Sequence, residues 1–370
     1  MDAYRIEVPD SAIADLRDRL GRTRWPLDPA SLGWDRGAPL HHVRALAERW
    51  RDGYDWRAWE ARLNAWPQVM TEIDGTPIHA AHVRSPEPEA LPLVLSHGWP
   101  GSIAEFLDVA GPLSDPRAHG GDPADAFHVV MPSLPGFGFS GPAPTTGWSP
   151  RRIAEAFGVL MERLGYERYG AQGGDWGSAI SRWIGATYPE RVVGVHVNML
   201  SGASPRPDEE GLTDEERTRA EQARDFATHG SGYYALQSTK PQTLAYALTD
   251  SPVGQLAWVA EKYEAWTDSP VEPDAVLTQA SIPWFTQTAG SSAQIYLEHV
   301  RAGGRGTAIE VSVPVGVAVF PRDLTPPVRR YAKGLNIVRW TEMPRGGHFA
   351  AMEEPELLVE DVRAFFRPLR

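Results

Sequence analysis

The stretch Arg168-Tyr-Gly-Ala-Gln-Gly-Gly-Asp-Trp-Gly-Ser-Ala-Ile-Ser-Arg-Trp183 constrains what this chain can fold into more than any other. It reads as a short strand, a tight glycine turn and the opening of a helix. Gly173, Gly174 and Gly177 surround Asp175 in the pattern G-x-D-x-G, which is the nucleophile-elbow pattern G-x-S-x-G with aspartate in place of serine. So sharp a strand-to-helix turn forces its central residue into a strained backbone, and the positions two residues either side must be small. The side chain at the tip then stands clear of the backbone. By the same reasoning Ser178, three residues on, is an ordinary helix residue.

The flanking sequence supplies the sheet that such a turn needs. Met70 to Val83 reads as a hairpin turning at Asp74-Gly75. Leu91–Ser96 and Phe127–Met131 are short apolar runs suited to buried parallel strands. Each ends in a loop rich in Gly and Pro, His97-Gly-Trp-Pro-Gly-Ser102 and Pro132 to Ser140. A helix from Pro150 to Leu164 precedes the elbow, and the apolar run Val192 to Leu200 follows it. Strands resume over Val311 to Phe320 and Ile337 to Trp340, before a closing helix through Leu357, Val362 and Phe365. This alternation predicts a doubly wound, mostly parallel α/β sheet with its active site at the carboxyl ends of the strands.

Two segments depart from the alternation. Residues 1–70 read as a helical extension, with Asp10 or Ser11 as the N-cap of a helix bearing Ile13, Leu16 and Leu20. The six tryptophans in it suit core packing better than a ligand cage. Residues 201–305 begin polar and become helical and aromatic. Inserted between two parallel strands, they should lie over the strand ends as a cap. The expected organisation is therefore extension 1–70, core 71–200, cap 201–305 and core 306–370, packed as one unit.

Composition narrows the chemistry. The absence of cysteine excludes disulfides, thiol catalysis and Cys-ligated metals. A net charge of −12 without long like-charge runs argues against nucleic acid as a partner. No run of eighteen apolar residues occurs, and Met1-Asp-Ala-Tyr-Arg-Ile-Glu is not a basic region followed by an apolar one. A soluble cytoplasmic protein without a membrane anchor is expected. Lysine is scarce, at Lys240, Lys262 and Lys333 only, a skew toward arginine that suits a GC-rich genome better than a function.

Three loops that follow candidate strands carry reactive groups: the elbow with Asp175, Phe320-Pro-Arg-Asp323, and Arg345-Gly-Gly-His348. Nucleophile, acid and histidine in that order is the arrangement this fold uses for its triads. A carboxylate with a reference pKa of about 3.9 is already ionised at neutral pH, so it can displace a leaving group at a saturated carbon directly. The alkyl ester so formed needs a water activated by His348, with Asp323 orienting the imidazole. The backbone N–H groups of Trp99 and Trp176 would hold the Asp175 carbonyl oxygen and stabilise the tetrahedral oxyanion. An epoxide opens to an alkoxide and needs acids overhead, which tyrosine hydroxyls supply; a halide would want indole or amide N–H donors.

With these motifs the chain resembles the epoxide hydrolases of the α/β-hydrolase fold, in particular the microsomal-type branch with an N-terminal extension. The resemblance spans nearly the whole chain. It rests on Thr23-Arg-Trp-Pro26, Gly33-Trp-Asp35, His97-Gly-Trp-Pro-Gly-Ser102, Gly173-Gly-Asp-Trp-Gly177, Gln237-Ser-Thr-Lys-Pro241, Asp250-Ser-Pro-Val-Gly254, Phe320-Pro-Arg-Asp323 and Gly346 to Pro355. It implies that two cap tyrosines activate the epoxide oxygen, Tyr296 and either Tyr233 or its neighbour Tyr234, with Tyr233 preferred. It also implies a structural His97, a Trp99-Pro100 bond that can be cis, no cofactor or metal, and epoxide and water as the partners. The fold is compatible with a homodimer. The aromatic cap suggests a bulky, largely apolar epoxide, an aromatic oxide or a secondary-metabolite intermediate. The rival readings are a haloalkane dehalogenase, an esterase, and a catalytically silent binding protein of the same fold.

Overall fold

The apolar runs become strands of one sheet in the computed structural model, which describes residues 1–27, 33–304 and 308–370. The strands are β1 (Asp2–Tyr4), β2 (Gln68–Ile73), β3 (Thr76–Val83), β4 (Leu91–Ser96), β5 (Phe127–Pro132), β6 (Tyr169–Gly173), β7 (Val192–Val197), β8 (Val311–Val319) and β9 (Leu335–Glu342). Their order is β1-β2-β3-β5-β4-β6-β7-β8-β9 among the described residues. Pairing is antiparallel from β1 to β5 and parallel from β5 to β9. The chain runs from β4 to β5 on one side and then crosses back from β5 to β6 on the other side of β4, so a crevice opens at the carboxyl ends of β4 and β6. The His97 loop and the Asp175 elbow emerge there.

Leu93, Val94, Val129, Val130, Ala171 and Val195 are fully buried, as strands covered on both faces require. The covering helices have recognisable starts. Helices α1 (Asp10–Gly21), α2 (Leu40–Asp52), α3 (Trp56–Leu63), α4 (Leu107–Ser114) and α5 (Pro150–Arg163) come before the elbow. Ser149 caps α5 through the Arg152 N–H, with Pro150 in the first turn, where its missing N–H costs no bond. Helix α6 (Trp176–Thr187) runs down from the elbow. Between β7 and β8 lie α7 (Asp214–Asp225), α8 (Gly232–Thr239), α9 (Pro241–Asp250), α10 (Pro252–Trp266), α11 (Pro273–Phe285), α12 (Ala289–Ser292) and α13 (Gln294–Arg301). Thr213 and Glu216 form a capping box at the start of α7.

The chain closes with α14 (Ala350–Glu353) and α15 (Pro355–Phe366). Asp361 ties α15 to the sheet through His196 Nε2 at 2.9 Å, Arg339 Nε at 2.7 Å and the Thr341 hydroxyl at 2.8 Å. Burial pushes its carboxyl up, but the bonds from His196, Arg339 and Thr341 outweigh burial and hold it at about 2.

Two expectations for the N-terminal segment need correction. It is not purely helical, because β1 pairs with β2 and anchors both ends of the segment in the sheet. A three-residue strand is too short to display a period. Neither Asp10 nor Ser11 caps α1; Pro9 occupies the cap position and makes no side-chain bond there. The Asp10 carboxylate pairs with Arg57 instead. The tryptophans of the segment do pack. Trp50 is buried and donates through Nε1 to the Ser281 hydroxyl at 2.8 Å, and Trp56 stacks at a tilt on Phe285, 4.9 Å between centroids. Arg49 grips Asp274 through two bonds of 2.6 and 2.9 Å, so α2 is clamped to α11. The expected boundary at 305/306 lies outside the described residues. Among the described residues no helix is long and apolar enough to cross a membrane.

Candidate active site

The elbow has the strain its sequence calls for. Asp175 sits between β6 and α6 at φ 50° and ψ −125°, a region that L-residues rarely adopt. A Cβ at Gly177 would stand 1.8 Å from the Ser96 carbonyl oxygen, and one at Gly98 would stand 2.3 Å from Asp175 Oδ1. Glycine at these points is what lets the turn and the neighbouring loop close on the carboxylate. Ser178 lies inside α6 and donates its hydroxyl to the Met199 carbonyl, just after β7.

The loop after β4 supplies a donor to the carboxylate. The Trp99 N–H donates to Asp175 Oδ1 at 2.8 Å, and the Trp99-Pro100 peptide bond is cis. His97 braces this loop, accepting from the Leu134 N–H at 3.2 Å through Nε2 and donating from Nδ1 to the Gly98 carbonyl at 3.0 Å. Burial lowers its imidazole to about 4, so the ring is neutral and structural. Among the described residues the Trp176 N–H makes no bond to the carboxylate; the structure brings Trp99 and Trp176 to Asp175, and only the first is engaged.

His348 closes the other side. Its Nδ1 lies 2.7 Å from Asp323 Oδ1, which also accepts from the Leu324 N–H at 2.7 Å. Its Nε2 points at Asp175 Oδ2 from 3.6 Å, beyond hydrogen-bond length. Burial alone would lower the imidazole, but the Asp323 charge, reinforced by Asp175, outweighs it and holds the ring well above its ordinary range. The two oxygens of Asp175 thus face different groups: Oδ1 a backbone donor, Oδ2 the histidine.

Aromatic side chains from the inserted helices form the roof. Tyr233 lies on α8, stacked on Trp99 with 5.2 Å between centroids and 8° between planes. Tyr296 on α13 stands edge-on to Trp99, Trp176 and Tyr233 at 5.7, 4.8 and 5.8 Å. Tyr234 also touches Tyr296, at 5.3 Å, but it is only partly buried whereas Tyr233 and Tyr296 are buried. Burial, with Tyr233 and Asp175 nearby, drives the Tyr296 phenol well above its ordinary value. Among the described residues neither the Tyr296 hydroxyl nor Trp176 Nε1 meets a partner in good hydrogen-bond geometry, and the nearby Trp176 indole opposes the rise of the Tyr296 phenol only in part.

Known proteins share this arrangement of chain. A family model described as "Epoxide hydrolase N terminus" matches residues 1–106, and one for the alpha/beta hydrolase fold matches residues 92–228. A Stigmatella aurantiaca protein provisionally named an epoxide hydrolase is 46% identical, over 99% of this chain and 85% of its own. Epoxide hydrolase 1 of Sus scrofa is 34% identical over 98% of this chain and 87% of its own. The chain belongs to the epoxide hydrolase family. The solved epoxide hydrolase of Aspergillus niger superposes with a TM-score of 0.91 at 33% identity, covering 100% of this chain and 96% of that one. The fold is accordingly the α/β-hydrolase fold with its mostly parallel nine-stranded sheet.

Two groups of this epoxide hydrolase escaped the sequence reading. Glu105 lines a cavity of about 20 Å³ together with Asp175, His348, Ser96, Gln172 and Asn198. Enclosure pushes its carboxyl up to about 8 despite the pull of His348, leaving it largely protonated at neutral pH. Its spacing, Ser102-x-x-Glu105, is that of a capping box, and Ser102 does cap that turn. Lys262 on α10 is the second, buried among aromatic rings. Its position four residues from both Trp258 and Trp266 on one helical stripe was the available signal.

Proposed function

We propose that this enzyme opens an apolar epoxide to a vicinal diol in two steps, through an ester on Asp175. The observation that carries the reading is the division of labour across one carboxylate: Oδ1 bonded to the Trp99 N–H, Oδ2 facing His348, and two buried tyrosines overhead. Oδ2 attacks an epoxide carbon while Tyr233 and Tyr296 serve the leaving oxygen, which remains on the substrate. Oδ1 becomes the ester carbonyl oxygen and stays in reach of Trp99, with the Trp176 N–H at the start of α6 as the second donor.

Ester formation removes the charge of Asp175. One of the two carboxylates that raise the His348 pKa is then gone, and Nε2 becomes able to take a proton from water at neutral pH. Asp323 keeps the ring oriented and stabilises its charged form. The 20 Å³ cavity has room for a single water, and Glu105, Ser96 and Asn198 offer it polar partners. The helices between β7 and β8 act as the cap. A second cavity, of about 30 Å³, is lined by Trp99, Phe137, Leu248, Val259 and Ile282, with Gln255, Gln279 and Thr288 as polar neighbours, and this mostly apolar lining favours an apolar substituent on the epoxide.

The test is turnover of styrene oxide and of haloalkanes by the purified protein and its tyrosine variants. The expected product is the diol, with no halide released from haloalkanes. Tyr233→Phe and Tyr296→Phe should each slow alkylation of Asp175 by about 10²-fold while ester hydrolysis changes little. Halide release without diol would put the haloalkane reading in first place, and unchanged alkylation in both variants would remove the tyrosines from the mechanism.

A further inference from the structure

Lys262 is one of three lysines in the chain, and it is 3% exposed. Lysines usually run their stems along apolar surface and keep the ammonium in water. Here Nζ turns inward. It lies 4.7 Å from the Tyr233 ring centroid, 5.5 Å from Trp258 and 5.7 Å from Trp266. Its partner Glu261, 2.8 Å away at Oε2, has a side chain that is 34% exposed, so the ion pair by itself did not need the ammonium inside. Burial lowers the Lys262 pKa, and the Glu261 bond opposes this by favouring the ammonium.

We propose that Lys262 is a positioning residue that makes Tyr233, rather than Tyr296, the tyrosine that gives its proton to the epoxide oxygen. The inference rests on the two-tyrosine reading above and divides the work between the two. A cation against a phenol ring stabilises the phenolate over the phenol, and more so where water is excluded. Among the described residues Tyr233 is faced by Lys262 on α10, with Glu261 behind it, by Tyr296 on α13, by Trp99 stacked on its ring, and by Trp266, which itself abuts His348. Tyr296, also buried, has no cation against its ring among the described residues, and burial with the Asp175 charge nearby disfavours its ionisation, the Trp176 indole opposing this only in part. Two like groups whose environments push their acidities apart take different roles.

The step balances. Asp175 Oδ2 forms a bond to the epoxide carbon as the C–O bond breaks. The Tyr233 O–H proton moves to the oxygen that is released, and the phenolate left behind faces the Lys262 ammonium. Tyr296 donates a hydrogen bond and keeps its proton. Hydrolysis of the ester then yields the carboxylate, the diol and one proton, and that proton restores Tyr233.

Alkylation rates are read by quenched mixing and intact mass in a His348→Gln background, where the ester accumulates. Lys262→Met retains the stem and should slow alkylation about tenfold or more, and Lys262→Arg should recover most of the loss. The Lys262→Met effect should vanish when Tyr233 is already Phe and persist when Tyr296 is Phe. An equal effect with and without the Tyr233 hydroxyl would make Lys262 structural and overturn the proposal. Tyr233→Phe that alkylates at full rate would overturn the two-tyrosine reading itself, a distinct failure that appears with Lys262 untouched. A measurement independent of any Lys262 variant uses 3-fluorotyrosine at position 233 or 296 and fluorine NMR. The phenol at 233 should titrate at lower pH than the one at 296, and the reverse order would overturn the proposal.

Discussion

His348→Gln protein mixed with an epoxide should gain the mass of one substrate molecule, on the peptide that contains Asp175, and stall there. In the proposed scheme the first step needs Asp175 Oδ2, the Trp99 N–H and the tyrosines, none of which the substitution replaces. The second needs a base beside the ester, and His348 Nε2 is the group that faces Oδ2. Steady-state turnover should fall by about 10⁴-fold or more, the scale seen when one member of a concerted triad is removed. Glutamine approximates the size of the ring and can still bond to Asp323, so the loop should keep its shape. Asp323→Asn should give a milder version, because the ring loses the partner that orients it and stabilises its charged form. Unlabelled His348→Gln protein, or a label on another residue, would contradict the two-step scheme.

Asp175→Ala should abolish diol formation, with a loss of about 10⁴-fold or more and no covalent adduct. The proposed nucleophile is removed while the aromatic roof stays, so apolar epoxides should still bind. Alanine at φ 50° retains the strain that aspartate bears, and the fold should therefore change little in stability. Residual hydrolysis within tenfold of the wild type would mean that water attacks the epoxide directly, with Asp175 as a spectator.

How legible all this was depended on how local the physics is. The elbow could be read because its glycines answer a steric demand within five residues, and the structure shows the contact that imposes it, since a Cβ at Gly173 would stand 2.4 Å from the Gly177 backbone. The strand ends that carry Asp323 and His348 followed from short apolar runs that needed no partner information. The tyrosines were legible only by resemblance, since no period or spacing says that residues 233 and 296 share a roof. Lys262 and Glu105 were hidden for different reasons. A lysine in Glu261-Lys262 reads as solvated helix surface until α8 is laid against α10. Glu105 wore the spacing of a capping residue while its carboxyl was enclosed beside Asp175 and His348. The β1 strand was invisible because three residues acquire meaning only from their pairing with β2, some sixty-five positions away.

The claim that Asp175 is alkylated and then attacked by water at its own carbonyl carbon is tested most directly by isotope transfer in a single turnover. Excess enzyme is mixed with an epoxide in water enriched in oxygen-18, and both the diol and the peptide carrying Asp175 are weighed. The account predicts that the heavy oxygen enters the Asp175 carboxylate in the first turnover, while the diol leaves with an unlabelled oxygen taken from the enzyme. Heavy oxygen in the diol after one turnover, with none in the Asp175 peptide, would contradict it.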